Sequence, residues 1–153
     1  MCPKMNLLSL MTSNKKLLYL GESHGVHDAR FLAALNLKFI VTSYFHNDTS
    51  LDPASLQASY DLVVVSPMSK QLLELSAGID AIKIGICWAV EVNEVSYEQS
   101  EIQTINKILS DFSIVIFDAD YVSHLFKDQF SFLGRIHKLY FGCSIDQFAQ
   151  IAE

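Results

Sequence analysis

Short apolar runs alternate with stretches of helical spacing along nearly the whole chain, and that alternation sharply limits the folds open to it. The strand-like runs are Lys16–Leu20, Lys38–Tyr44, Leu62–Val65, Ala81–Trp88, Ser113–Phe117 and Ile136–Phe141. Leu62–Val65 has no polar position, as expected of a strand covered on both faces. Between the runs, apolar residues recur three and four apart, the mark of a helix with one buried face. Phe31, Leu32 and Leu35 do this after the first run, in a helix expected from about His27. Leu72, Leu73 and Leu75 follow the third run, Ile102, Ile105, Ile108 and Leu109 the fourth, and Val122, Leu125, Phe126 and Phe130 the fifth.

Punctuation residues support this division. Asp52-Pro53 and Ser66-Pro67 each read as an N-cap followed by proline at the first helical position. Gly78 reads as the C′ residue of the helix before it. Ser96-Tyr97-Glu98-Gln99 matches a capping box, and Asp118 or Asp120 is expected to cap the helix after the fifth strand. Strands joined by helical crossovers pair in parallel and place helices on both faces. The expected fold is therefore α/β, a Rossmann-like three-layer α/β/α domain with a mostly parallel sheet of about six strands.

A length of 153 residues fits one such domain. Residues 1–15 read as a lead-in segment and 16–153 as a single domain. The run Leu7-Leu8-Ser9-Leu10-Met11 is too short to span a bilayer and lacks a signal-peptide cleavage region, so no transmembrane segment is expected. Residues 46–50 read as a polar surface loop. Hydrophobic residues make up 50% and charged residues 18%, which excludes a disordered class. The net charge is -6 and the basic residues are scattered, with Lys15-Lys16 the densest pair. That argues against nucleic acid and against a polybasic membrane patch. Three widely spaced cysteines without a CxxC point to reduced thiols and a cytoplasmic setting, with Cys87 as a small core hydrophobe.

Ligands of open α/β sheets bind beyond the carboxyl ends of the strands. Four segments fall there: Gly21–His27, Ser66–Ser69, Trp88–Asn93 and Asp118–Tyr121. The first is the richest. Gly21 permits a sharp turn out of the strand, and Gly25 would let backbone approach a ligand beside a helix N-terminus, where free N–H groups favour an anion. An ordinary βα turn is the alternative. His24 and His27 have a spacing that could ligate a metal, but no third ligand is evident, and a polar contact or a capping role is simpler. No metal or other cofactor is expected. Trp88 and Glu91 either belong to core and solvent or line a sugar site by stacking and hydrogen bonding. No Ser-His-Asp arrangement is read from the sequence, and the chain contains no Walker A loop and no GxGxxG.

Taken together these segments resemble the N-terminal domain of a GT-B glycosyltransferase of the large retaining family often called family 4. The resemblance runs from about Lys16 to Phe148. Its opening is Leu-Tyr-Leu-Gly-Glu-Ser-His-Gly-Val-His-Asp, which looks like the family's first strand and glycine-bearing loop. Its close, from Ile136 through Gly142, Ile145 and Asp146 to Phe148, looks like the segment "K-I-x-V-I-x-N-G-V-D-x-x-x-F" that ends the family's first domain. The family implies retaining transfer from a nucleotide sugar to a sugar-containing acceptor, usually without a metal. Carried over, Gly25 and Val26 would supply backbone near the donor diphosphate. Glu22, Ser23 and His24 would face the cleft, with Ser66, Trp88 and Glu91 on the acceptor side.

Some positions depart from the family. Only Gly25 fits a loop that often carries tandem glycines, and Trp88-Ala89-Val90-Glu91 stands where many members have a histidine. The donor-binding second domain, with its paired glutamates, is not among the 153 residues. The expectation is thus the acceptor-side half of a glycosyltransferase, inactive without a C-terminal domain or a separate donor-binding subunit. A non-catalytic sugar- or protein-binding module that self-associates is the alternative, and an independent nucleotide binder the third reading.

Overall fold

The fold is described from a computed structural model, for residues 14–22, 26–47, 56, 58–87, 96–117 and 119–138. Strand β1 (Lys16–Gly21) is buried on both faces from Leu17 onward, so the sheet must be covered twice. Helix α1 (Val26–Leu35) returns the chain to β2 (Ile40–Phe45), and a connection through Leu56 and Tyr60 leads to β3 (Leu62–Val65). Three further units follow: α2 (Lys70–Ser76) with β4 (Ile82–Cys87), α3 (Gln99–Leu109) with β5 (Phe112–Phe117), and α4 (Asp120–Gln129) with β6 (Arg135–Lys138). All six strands run parallel in the order β2-β1-β3-β4-β5-β6. This is the expected Rossmann-like α/β domain.

The order explains where the helices lie. Parallel crossovers are right-handed, so the direction of travel across the sheet selects the face. From β1 to β2 the chain steps one way, and from β3 to β6 it steps the other. Accordingly Leu35, with Phe31 and Leu32 beside it, packs on the face of Leu17, Tyr19, Val64 and Ile84. Leu72 and Leu73 of α2, Ile105 and Leu109 of α3 and Val122 and Phe126 of α4 pack on the face of Leu18, Leu20, Val63 and Val115.

Several boundaries differ from the sequence expectation, each for a local reason. Strand β2 begins at Ile40 rather than Lys38, because the amides of Lys38 and Phe39 bond back to the Leu35 carbonyl at 3.0 and 2.9 Å. Ser66-Pro67 does not open a helix. The Ser66 amide still donates to Leu20, at 2.9 Å, and the Ser66-Pro67 bond is cis. Helix α2 starts at Lys70, with the Ser69 hydroxyl accepting from the Leu72 amide.

The capping box of α3 sits two residues later than Ser96, at Glu98, whose amide donates to the Glu101 carboxylate at 3.0 Å. That bond, and then the Lys70 ammonium at 3.0 Å, holds the Glu101 carboxyl below its ordinary pKa. Asp120 is the first residue of α4 rather than its cap, which is Ala119, and its carboxylate accepts from Lys138 at 3.0 Å. Gly78 follows the cap residue Ala77 without a left-handed backbone, and α2 closes instead on tighter turns such as Ile79 N–H to Ser76 O. The expected cap at Asp118, the Asp52-Pro53 helix start, and the ends of the fourth and sixth strand runs at Trp88 and Phe141 lie outside the described residues.

Candidate functional site

Where α1 and α2 leave neighbouring strands toward opposite faces, the carboxyl ends of β1 and β3 border a crevice, the usual ligand position of doubly wound sheets. The residues that reach this edge are Gly21 at the end of β1, Glu22 just beyond it, the first turn of α1, and Ser66 beyond β3.

Gly21 is not used there as a flexible turn, which corrects the sequence expectation. It is the last residue of β1 and has no left-handed backbone. A Cβ at this position would stand 2.7 Å from Cε1 and 2.8 Å from Cδ1 of Phe45, and 3.2 Å from Cε1 of Tyr19. Glycine is required because two buried rings close over it. The strand end is also firmly tied: the carbonyls of Gly21 and Glu22 accept from the amides of His46 and Asn47 at 2.8 and 2.7 Å.

Beneath this edge lies a connected polar group inside an apolar layer. Tyr19 pairs in register with Val64, so its side chain and that of Ser66, two residues further along, project to the same face. The Tyr19 ring is wedged between Phe31 and Phe45, each with its centroid 6.1 Å away. Its hydroxyl donates to Oδ1 of Asp28, in the first turn of α1, at 2.5 Å. The Ser66 side chain hydrogen-bonds the Tyr19 oxygen as well. Burial, and then the bond to Asp28, pushes the Tyr19 phenol well above its ordinary pKa, while the Ser66 bond acts in the opposite sense.

A phenol held neutral in this way is no acid or base near neutral pH. Its proton is committed to Asp28.

Of the residues singled out in the sequence, Glu22 is half-buried at the end of β1, Val26 is the first residue of α1, and Ser66 is buried in the polar group. Ser23, His24, Gly25, Trp88 and Glu91 lie outside the described residues. Tyr19 and Asp28 were not singled out. One signal for them was available: a lone hydroxyl-bearing ring in an otherwise aliphatic buried strand, nine residues before an acid in a helical first turn.

A void of about 10 Å³ among Met68, Leu73, Cys87, Tyr97 and Phe126 is near the minimum for one water and is a packing defect, not a ligand site. Among the described residues no three His, Cys, Asp or Glu side chains are grouped to hold a metal ion, and no helix is long and apolar enough to cross a membrane. No protein-family model, no curated protein and no solved structure matches the chain.

Proposed function

We propose that the domain is the acceptor-side half of a glycosyltransferase that uses a nucleotide-sugar donor. The observation that carries the reading is the crevice between β1 and β3, with Glu22, the first turn of α1 and Ser66 at its edge. The resemblance of residues 16–148 to the first domain of retaining GT-B enzymes supplies the chemistry. In this reading the backbone of Gly25 and Val26 approaches the donor diphosphate, which suits free N–H groups at a helix start. Glu22, Ser23 and His24 face the cleft, and Ser66, Trp88 and Glu91 lie on the acceptor side.

Most donor contacts then belong to a second domain or a partner subunit, and so does most of the electrostatic stabilisation of the departing diphosphate. The test is direct. The purified chain is incubated with a panel of UDP-, GDP- and ADP-sugars and simple glycoside acceptors, and release of the nucleoside diphosphate is followed. No turnover above background is expected from this domain alone. Robust turnover by the isolated chain refutes its assignment as one half of the enzyme.

A further inference from the structure

We propose that Tyr19 and Asp28 are positioning residues whose hydrogen bond pins the first turn of α1 to the end of β1, and so fixes the backbone of Val26 relative to Ser66. The bond joins the strand to the helix across the chain reversal between them, from two residues before Gly21 to the third residue of α1. Each partner is itself held. The Tyr19 ring is fully buried between Phe31 and Phe45, so it has one orientation. Asp28 lies on a helix anchored further along by Leu35, which is fully buried. Among the described side chains of α1, the fully buried one lies in its last turn, and Phe31 and Leu32 are partly buried. The charge-assisted bond adds a tie at the first turn. The role rests on the sugar-transfer reading only for what the Val26 backbone faces.

The same pair accounts for a choice the sequence leaves open. A phenylalanine at position 19 would fill the same space between Phe31 and Phe45, so packing alone does not call for tyrosine. The hydroxyl is explained by its two partners, one on α1 and one beyond β3. It makes the two sides of the crevice a single hydrogen-bonded unit.

The test is residue-resolved amide exchange on the full chain without ligand. Tyr19→Phe and Asp28→Ala should each speed exchange at Arg30 and Phe31, whose amides bond to the carbonyls of the first turn, about tenfold. The double variant should add little to either single one, since both remove the same bond. Asp28→Asn keeps an acceptor and should fall between wild type and Asp28→Ala. Core amides of β4 and β5 should keep their exchange rates. Unchanged exchange at the start of α1 in Tyr19→Phe, additivity in the double variant, or a rise shared equally by β4 and β5 each overturns the proposal. Should Asp28→Ala fail to fold, Tyr19→Phe and Asp28→Asn still decide it. UDP titrated into separate wild-type samples tests the other claim: failure to bind counts against the sugar-transfer reading alone, because the exchange comparison contains no ligand.

Discussion

Replacing Gly21 by alanine separates two explanations of the glycine that opens the candidate loop. If the residue were a conformational hinge, its substitution would fail through backbone strain. The structure gives a different cause. The new methyl group would lie 2.7 Å from the Phe45 ring, which must retreat about 0.7 Å to reach the 3.4 Å of ordinary contact. Phe45 is 0% exposed and Tyr19 1%, so neither ring can swing into water. Overfilling a packed site of this kind costs about 1–3 kcal/mol. Alanine recovers about 0.4–1 kcal/mol by restricting the unfolded chain. A net loss of about 1–2 kcal/mol follows, or a melting temperature lower by about 2–8 °C for a chain of this length. Urea and thermal unfolding of Gly21→Ala, Phe45→Leu and the double variant measure it. A shorter side chain at 45 makes room for the methyl, so the double variant should be more stable than the sum of the single effects by at least about 0.5 kcal/mol. Strict additivity, or Gly21→Ala as stable as wild type, refutes the packing argument.

Three further outcomes are expected. Gly85→Ala would place a Cβ 2.5 Å from the Met68 sulfur, but a methionine tail repacks more readily than a ring, so its urea midpoint should fall less than that of Gly21→Ala. Gly78 has neither a left-handed backbone nor an atom within 4 Å of an added Cβ, and Gly78→Ala should raise stability by about 0.4–1 kcal/mol in urea unfolding. The Tyr19 phenol is raised above its ordinary pKa of 10.0, so its share of the stability is complete below pH 10 and is lost as the pH climbs above it, where only the unfolded chain ionises. The stability of wild type relative to Tyr19→Phe should therefore decline between pH 10 and 11 by about 1 kcal/mol, and a constant difference would contradict the assignment.

Much of the fold could be read in advance because periodic burial is a local property. Leu62–Val65 keeps its limits, and the apolar faces of α3 and α4 are those the spacing implies. Edges were less legible. The amides of Lys38 and Phe39 bond back to a helix carbonyl, and Glu98 takes the cap that Ser96 seemed to offer. Such choices depend on where the buried face begins, not on the residue types alone. The strand order was not legible, since pairing of β1 with β3 joins residues far apart in sequence. The site followed the same rule. The edge residues Glu22, Val26 and Ser66 come from strand ends, which local pattern locates. The pairing of Tyr19 with Asp28 depends on how α1 packs, and the crowding of Gly21 depends on a ring from β2.

If the crevice between β1 and β3 binds the donor, an NMR titration of the labelled chain with UDP-glucose will reveal it. Concentration-dependent shifts are expected at the amides of Glu22, Val26, His27, Asp28 and Ser66, at the carboxyl ends of β1 and β3. Shifts confined to the opposite edge, at Lys16, Ile40 and Ile82, or no shifts at any concentration, would contradict it.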